Sequence, residues 1–362
     1  MRVILFGYYG FGNAGDEAML AGLLHGLRAL GPAGAEYLVL SGNPKETEEL
    51  HGVAARPRNA VRELLRASGA DAWIFGGGSL LQDVTGPFTL PFYLGVMGLV
   101  TLRRRPFALH AQGVGPIDRR LNRRLTGCLV RQAVRISVRD ADAKETLARL
   151  GVDPDRVHVG ADLAFLLPAR KAGRAPGTTV RVGVALREWG QTERWLPEIA
   201  GGLERFLDQA AGEAVLVPMD PADEPLARRV ASRLAGRAAV AAAGAPYNEK
   251  LRVLSGSDLV LAMRLHAGVF AALGHVPTVF VAYDPKVRAL AERLDAPALD
   301  LGDVTAERVA SALAVTWRER NTRREALART VGRLRAAAEE DLRGLVRTLF
   351  RLHETDEEWS PA

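Results

Sequence analysis

"RVILFGYYGFGNAGDEAML", residues 2–20, opens as an apolar run, passes through four glycines and ends as the start of a helix. "RVILFG" (2–7) shows no polar alternation, which predicts a strand buried on both faces. The helix that follows is predicted from about Asp16 to Leu30. Strand, glycine turn and helix together begin a βαβ unit, and the pattern repeats along the chain. Strands are predicted at 36–42, 71–78, 106–115, 135–140 and 157–162, and helices at 59–68, near 90–103, at 119–133 and at 141–150. "LPARKAGRAPGTT" (167–179) is polar and rich in Gly and Pro, so it reads as a linker. The alternation then restarts, with strands at 180–186, 213–219, 238–242, 258–263 and 277–283. Helices are predicted between and after them at 194–211, 223–235, 247–255, 267–274 and 286–294.

Continuous apolar strands alternating with helices imply parallel sheets covered on both faces. The expected class is α/β, GT-B-like, with two facing doubly wound (Rossmann-like) domains and a C-terminal helical segment. Its parts are an N-terminal domain over 1–168, a linker over 169–179, a C-terminal domain over 180–304 and helices over 305–362 that brace both domains.

Composition narrows the class. The chain has 362 residues, 48% hydrophobic and 25% charged, as expected of a globular protein with more than one core. One cysteine, Cys128, rules out a disulfide framework, and its place in a helical run predicts that it is core. The net charge is +6, carried by 43 arginines and only five lysines. Acids are interleaved with these cations ("RERNTRREALART"), which argues against a nucleic-acid-binding face. The N-terminus lacks the long apolar stretch of a signal peptide, and "PFYLGVMGLVTL" stops short of a bilayer span at Arg103. The expected location is cytoplasmic, with peripheral contact at the inner membrane face.

The first loop contains Gly10-x-Gly12-x-x-Gly15, which resembles a dinucleotide fingerprint. Asp16 and Glu17 argue against that use, because they place negative charge where a pyrophosphate would sit. The second strand also ends in Ser41-Gly42, without a carboxylate for a ribose. Two readings stay open: Gly12, Asn13, Asp16 and Glu17 approach sugar hydroxyls, or Asp16 caps the helix. "FGGGSLLQD" (75–83) makes a second turn of this kind, in which Gly77 and Gly78 admit close backbone approach. In doubly wound sheets such carboxyl-end turns line the ligand crevice.

"MRLHAG" (263–268) places a cation and an imidazole where a buried strand hands over to a helix. Arg139 in "SVRD", Arg187 in "ALREW" and Lys286 in "YDPK" also fall at predicted carboxyl ends of strands. Four cations so placed suit a ligand with several anionic groups, which arginine can hold bidentately. No ligand cluster for a metal is evident.

"GYYGFGNAGDEA", "FGGGSLLQD", "HAQGVGP", "SVRD" and "MRLHAG…ALGHVP" follow one another as in the polysaccharide pyruvyl transferases, which the chain resembles from residue 1 to about 295. The resemblance is closest to the CsaB-type enzymes of secondary cell-wall polymers. It implies transfer of pyruvyl from phosphoenolpyruvate, as co-substrate and without a bound cofactor, onto a sugar as a 4,6-ketal. The implied acceptor is an N-acetylmannosamine carried on a lipid diphosphate. Arg139, Arg187, Arg264 and Lys286 would bind the donor. His266 would deliver the proton to the enol carbon, since imidazole gives and takes protons near neutrality. His110 and Gln112 in "HAQGVGP" would serve the acceptor with Gly12, Asn13, Asp16, Glu17, Gly77 and Gly78. The alternative is a GT-B nucleotide-sugar glycosyltransferase. Against it, the helix "GVFAALG" (268–274) lacks the carboxylate that would hold a ribose. A non-catalytic sugar-phosphate binding protein is the third reading.

Overall fold

The computed structural model describes residues 1–84, 86–168 and 179–354, with the side chains of 352–354 aside. The expected linker 169–179 falls almost wholly outside the described residues. The chain forms two compact units, one made of residues 1–11, 16–167 and 334 onward, the other of 12–15 and 168–333.

In the first unit the elements run β1 (Arg2–Phe6), α1 (Ala14–Leu30), β2 (Glu36–Ser41), α2 (Pro44–His51), β3 (Ala54–Pro57) and α3 (Val61–Ala67). They continue through β4 (Ala72–Gly76), α4 (Thr89–Leu102), β5 (Phe107–Gln112), α5 (Arg120–Val130), β6 (Arg135–Val138), α6 (Ala141–Arg149) and β7 (Val157–Val159). The seven strands pair in the order β3-β2-β1-β4-β5-β6-β7, and every pairing is parallel. Val3, Ile4, Leu5 and Phe6 of β1 are all fully buried, as a strand covered on both faces requires. Phe6 packs edge-on to Trp73 and Phe75.

The second unit runs β8 (Val180–Ala185), α7 (Thr192–Ala210), β9 (Gly212–Leu216), α8 (Glu224–Ala231), β10 (Ala238–Val240) and α9 (Tyr247–Ser255). It continues through β11 (Leu259–Ala262), α10 (Leu265–Leu273), β12 (Thr278–Ala282), α11 (Pro285–Arg293), β13 (Ala298–Asp300) and α12 (Ala306–Arg318). Its six parallel strands are ordered β10-β9-β8-β11-β12-β13. The last helix, α13 (Arg320–Glu354), starts in the second unit and ends in the first. There Asp341 accepts hydrogen bonds from Ser137 Oγ at 2.5 Å and Arg135 Nη2 at 2.9 Å, while Arg335 donates to the carbonyls of Phe165 and Leu167. No described helix is long and apolar enough to cross a membrane.

Three elements differ from the sequence expectation: α2, β3 and β13 were not anticipated. Cys128 also corrects its reading as core, since the residue is exposed. The inward face of α5 is made by Asn122, Thr126, Gly127 and Val130, which turns position 128 outward.

Candidate functional site

In the second unit, β11 delivers the backbone of Met263 and Arg264 over the end of β8, where both amides donate to the carbonyl of Ala185, at 2.8 and 3.3 Å. Helix α10 starts at the next residue, and the side chain of its N-cap residue, Arg264, makes no capping hydrogen bond. Gly268 lets it pack tightly, because a Cβ there would lie 2.3 Å from the Phe280 ring.

Arg264 Nε donates to Asp223 Oδ2 at 2.8 Å and Nη2 donates to Oδ1, a bidentate pair. Asp223 is buried and also accepts from the amide of Asp220 at 3.1 Å. Burial raises the Asp223 pKa above the ordinary carboxylate value, with Arg264 pulling it down less strongly. One edge of the guanidinium is therefore fixed, and Nη1 has no partner among the described residues. Behind this pair lies Lys250, fully buried, with Nζ donating to the carbonyl of Ala243 at 2.8 Å. Burial lowers its pKa, opposed by Asp220 and Asp223.

His266 occupies the first turn of α10, half-buried. Its ring lies against Gly15, where a Cβ would come within 2.1 Å of Nδ1. The segment 12–15 is held there by Ala14 N donating to the carbonyl of Met219 at 2.8 Å and by Asn13 Nδ2 donating to Asp220 Oδ2 at 3.3 Å. Gly12 and Asn13 thus belong to the second unit, although the sequence places them with the N-terminal domain.

Arg187 follows β8, and Lys286 opens the helix after β12. Together with Arg264 they put cations at the carboxyl ends of three adjacent strands, β8, β11 and β12. Arg187 Nη1 donates to the Tyr283 hydroxyl at 3.1 Å, and its guanidinium lies 5.2 Å from the Trp189 ring centroid and 5.3 Å from that of Tyr283. Its Nε is buried without a hydrogen-bond partner. Lys286 Nζ lies 3.6 Å from Asp284 Oδ2. A groove of about 620 Å³ beside the Arg187 loop is lined by Trp189, Gln191, Arg194 and Trp195.

In the first unit the turn after β4 has Gly77 and Gly78 at φ +65° and +74°, a conformation that favours glycine. Asp16 borders it, with Oδ1 3.1 Å from the position of a Gly78 Cβ. Gln112 is fully buried and pins the turn by donating to the carbonyls of Phe75 and Gly77, at 3.0 and 2.7 Å. Arg139, expected with the donor cations, lies in this unit. It is buried, 3.6 Å from Asp162 and 3.5 Å from Ser79 Oγ.

Three residues expected to touch the acceptor, Gln112 above together with Glu17 and His110, are buried within the first unit. Both carboxylate oxygens of Glu17 are engaged, Oε1 by the amide of Gly10 at 2.7 Å and Oε2 by His51 Nε2 at 2.9 Å, which braces the first loop. His110 is fully buried, with Nδ1 3.1 Å from Ser137 Oγ and 3.3 Å from Asp341. Burial lowers its pKa despite that carboxylate. Sequence reasoning missed Asp220, Asp223 and Lys250. The signal available for the first two was the "MDPADEP" turn, where Asp220 and Asp223 form a capping box.

Solved structures share this architecture. A UDP-GlcNAc 2-epimerase from Neisseria meningitidis, bound to UDP-GlcNAc, matches with TM-score 0.65 and 11% identity, over 97% of this chain and 100% of that one. A UDP-GlcNAc 2-epimerase from Methanocaldococcus jannaschii gives 0.63 and 13%, over 88% and 93%. A glycosyltransferase from Rickettsia africae gives 0.59 and 12%, over 99% and 98%. At these identities the likeness shows the fold, which is GT-B-like α/β with two parallel sheets. No curated protein matches the sequence. The model described as polysaccharide pyruvyl transferase matches residues 13–285, a span that runs from Asn13 beyond Arg264 and His266 to the start of α11, and the chain belongs to that family.

Proposed function

We propose that the protein transfers pyruvyl from phosphoenolpyruvate to a sugar, forming a 4,6-ketal and releasing phosphate. The observation that carries this reading is Arg264, clamped along one edge by buried Asp223, with His266 two residues on in the first turn of α10. A fixed guanidinium beside a helix N-terminus suits a ligand bearing both a carboxylate and a phosphate. Arg187 and Lys286 add positive charge at the neighbouring strand ends, and Arg139 with Ser79 offers an anion contact in the first unit.

His266 protonates C3 of the enol, and the positive centre at C2 takes a sugar hydroxyl. The first hydroxyl's proton returns to His266, and the C2–O bond to phosphate breaks with the electron pair leaving on phosphate. The second hydroxyl closes the ring as its proton passes to the released phosphate. The cations stabilise the carboxylate and the leaving phosphate electrostatically. The acceptor's hydroxyls are assigned to Asp16 and the Gly77–Gly78 turn, and the acceptor itself to an N-acetylmannosamine on a lipid diphosphate.

Incubation with phosphoenolpyruvate and a panel of lipid-linked sugars, reading phosphate release and the product's mass, tests the reading. Thermal stabilisation by UDP-sugars with no response to phosphoenolpyruvate favours the glycosyltransferase alternative and overturns it.

A further inference from the structure

The outward side of α4 and α5 in the first unit differs from the rest of the described surface. Helix α4 carries no charged residue in its 14 positions. A Cβ placed at Gly95 or Gly98 meets nothing within 4 Å, so that side of the helix is open. At its two ends Phe88 and Leu102 are 80% and 79% exposed. Helix α5 packs against α4 and presents Leu121 and Leu125, one turn apart, at 67% and 43% exposure.

Cations surround these apolar side chains. Arg103 and Arg104 end α4, and Arg120, Arg123 and Arg124 lie on α5, all exposed. None of the five forms an ion pair with a described carboxylate, and neither helix contains an acidic residue. By contrast, Arg228, Arg237 and Arg323 pair with Glu224, Asp208 and Glu319, acids of a kind that α4 and α5 do not offer.

We propose that this face docks on an anionic lipid bilayer. The leucines and Phe88 enter the headgroup boundary, and the arginines meet lipid phosphates. Aliphatic side chains interleaved with arginines favour a bilayer over a nucleic acid, whose backbone rewards the cations but not the leucines. The inference stands independently of the reaction proposed above.

Cys128, the chain's single cysteine, is exposed on the same side of α5 and provides the probe. An environment-sensitive fluorophore attached there should shift to the blue with phosphatidylglycerol vesicles and not with phosphatidylcholine. Sedimentation of the unlabelled full chain should show the same preference, weakening with salt. Arg120→Ala with Arg124→Ala should cost about fivefold in vesicle affinity per arginine. Leu121→Ser with Leu125→Ser should also weaken binding and abolish the blue shift. All four positions are exposed, so the thermal midpoint should stay unchanged and separate docking from misfolding. Wild-type protein left in the supernatant with phosphatidylglycerol overturns the proposal. A leucine pair that binds as wild type, while the arginine pair loses vesicles and duplex DNA alike, overturns it in favour of a polyanion surface.

Discussion

The imidazole of His266 rests on Gly15, so closely that a β-carbon at residue 15 would lie 2.1 Å from Nδ1. The third glycine of the first loop is therefore a seat for the histidine of "RLHAG". Gly15→Ala should disturb that seat. The position is helical, where alanine is ordinarily favoured by up to about 1 kcal/mol. Here turnover should fall by roughly 10²-fold, as for a misplaced catalytic group, with no gain in thermal midpoint. Retained activity together with a raised midpoint would contradict the seat.

His266→Ala and Arg264→Lys should separate two duties. The histidine variant should still bind phosphoenolpyruvate by calorimetry and lose about 10²-fold or more in kcat. The arginine variant should bind it poorly, because an ammonium cannot keep the Asp223 clamp and reach the ligand together. A folded His266→Ala protein with near-normal ketal formation removes that residue from the chemistry.

Asp223→Asn should weaken the anchoring of Arg264. Breaking a buried ion pair costs about 3 kcal/mol or more, so the thermal midpoint should drop by several degrees. Asp223→Asn with Arg264→Gln should cost less than the two single changes summed, by roughly 1 kcal/mol. Strict additivity in chemical denaturation would show that the two side chains are not coupled.

His110 gives the fold an acid limit. Its pKa in the folded protein lies below the ordinary 6.5. Above that value neither folded nor unfolded chain holds the proton, and the group costs nothing. As pH falls through 6.5 the unfolded chain takes the proton first, and stability declines until the lower folded pKa is passed. His158, also shifted down, acts in the same direction. Urea unfolding measured downward from pH 7 should show this decline, and His110→Gln should flatten part of it. An identical slope in the variant assigns the effect elsewhere.

The sheets were legible where strands are buried on both faces. β1, β4 and β11 read as unbroken apolar runs, and the structure buries every residue of β4 and β11. β3 and β13 were not legible, because an edge strand such as "AARP", with Ala55 alone buried, carries no apolar run. α2, "PKETEELH", has almost no apolar face, and only its caps at Asn43 and Gly52 mark it. In the candidate site Arg264 and His266 stood out because they interrupt an apolar segment. Asp223 and Lys250 did not, since a charged residue in a loop or on a helix reads as solvated until its burial is known. The inward pairing of Glu17 was not legible for the same reason, its partner His51 lying 34 residues away.

The path of α13 bears on how the chain is made. The first unit draws on the beginning of the sequence and on residue 334 onward, while the second lies almost entirely between. Leu342, Leu345 and Leu349 fill positions that the first 167 residues cannot fill alone, and Asp341 closes over Ser137 and Arg135. Domains usually fold from the N-terminus onward during synthesis. Here the ribosome must finish the second unit before the first receives its last helix, so the domain begun first is completed last.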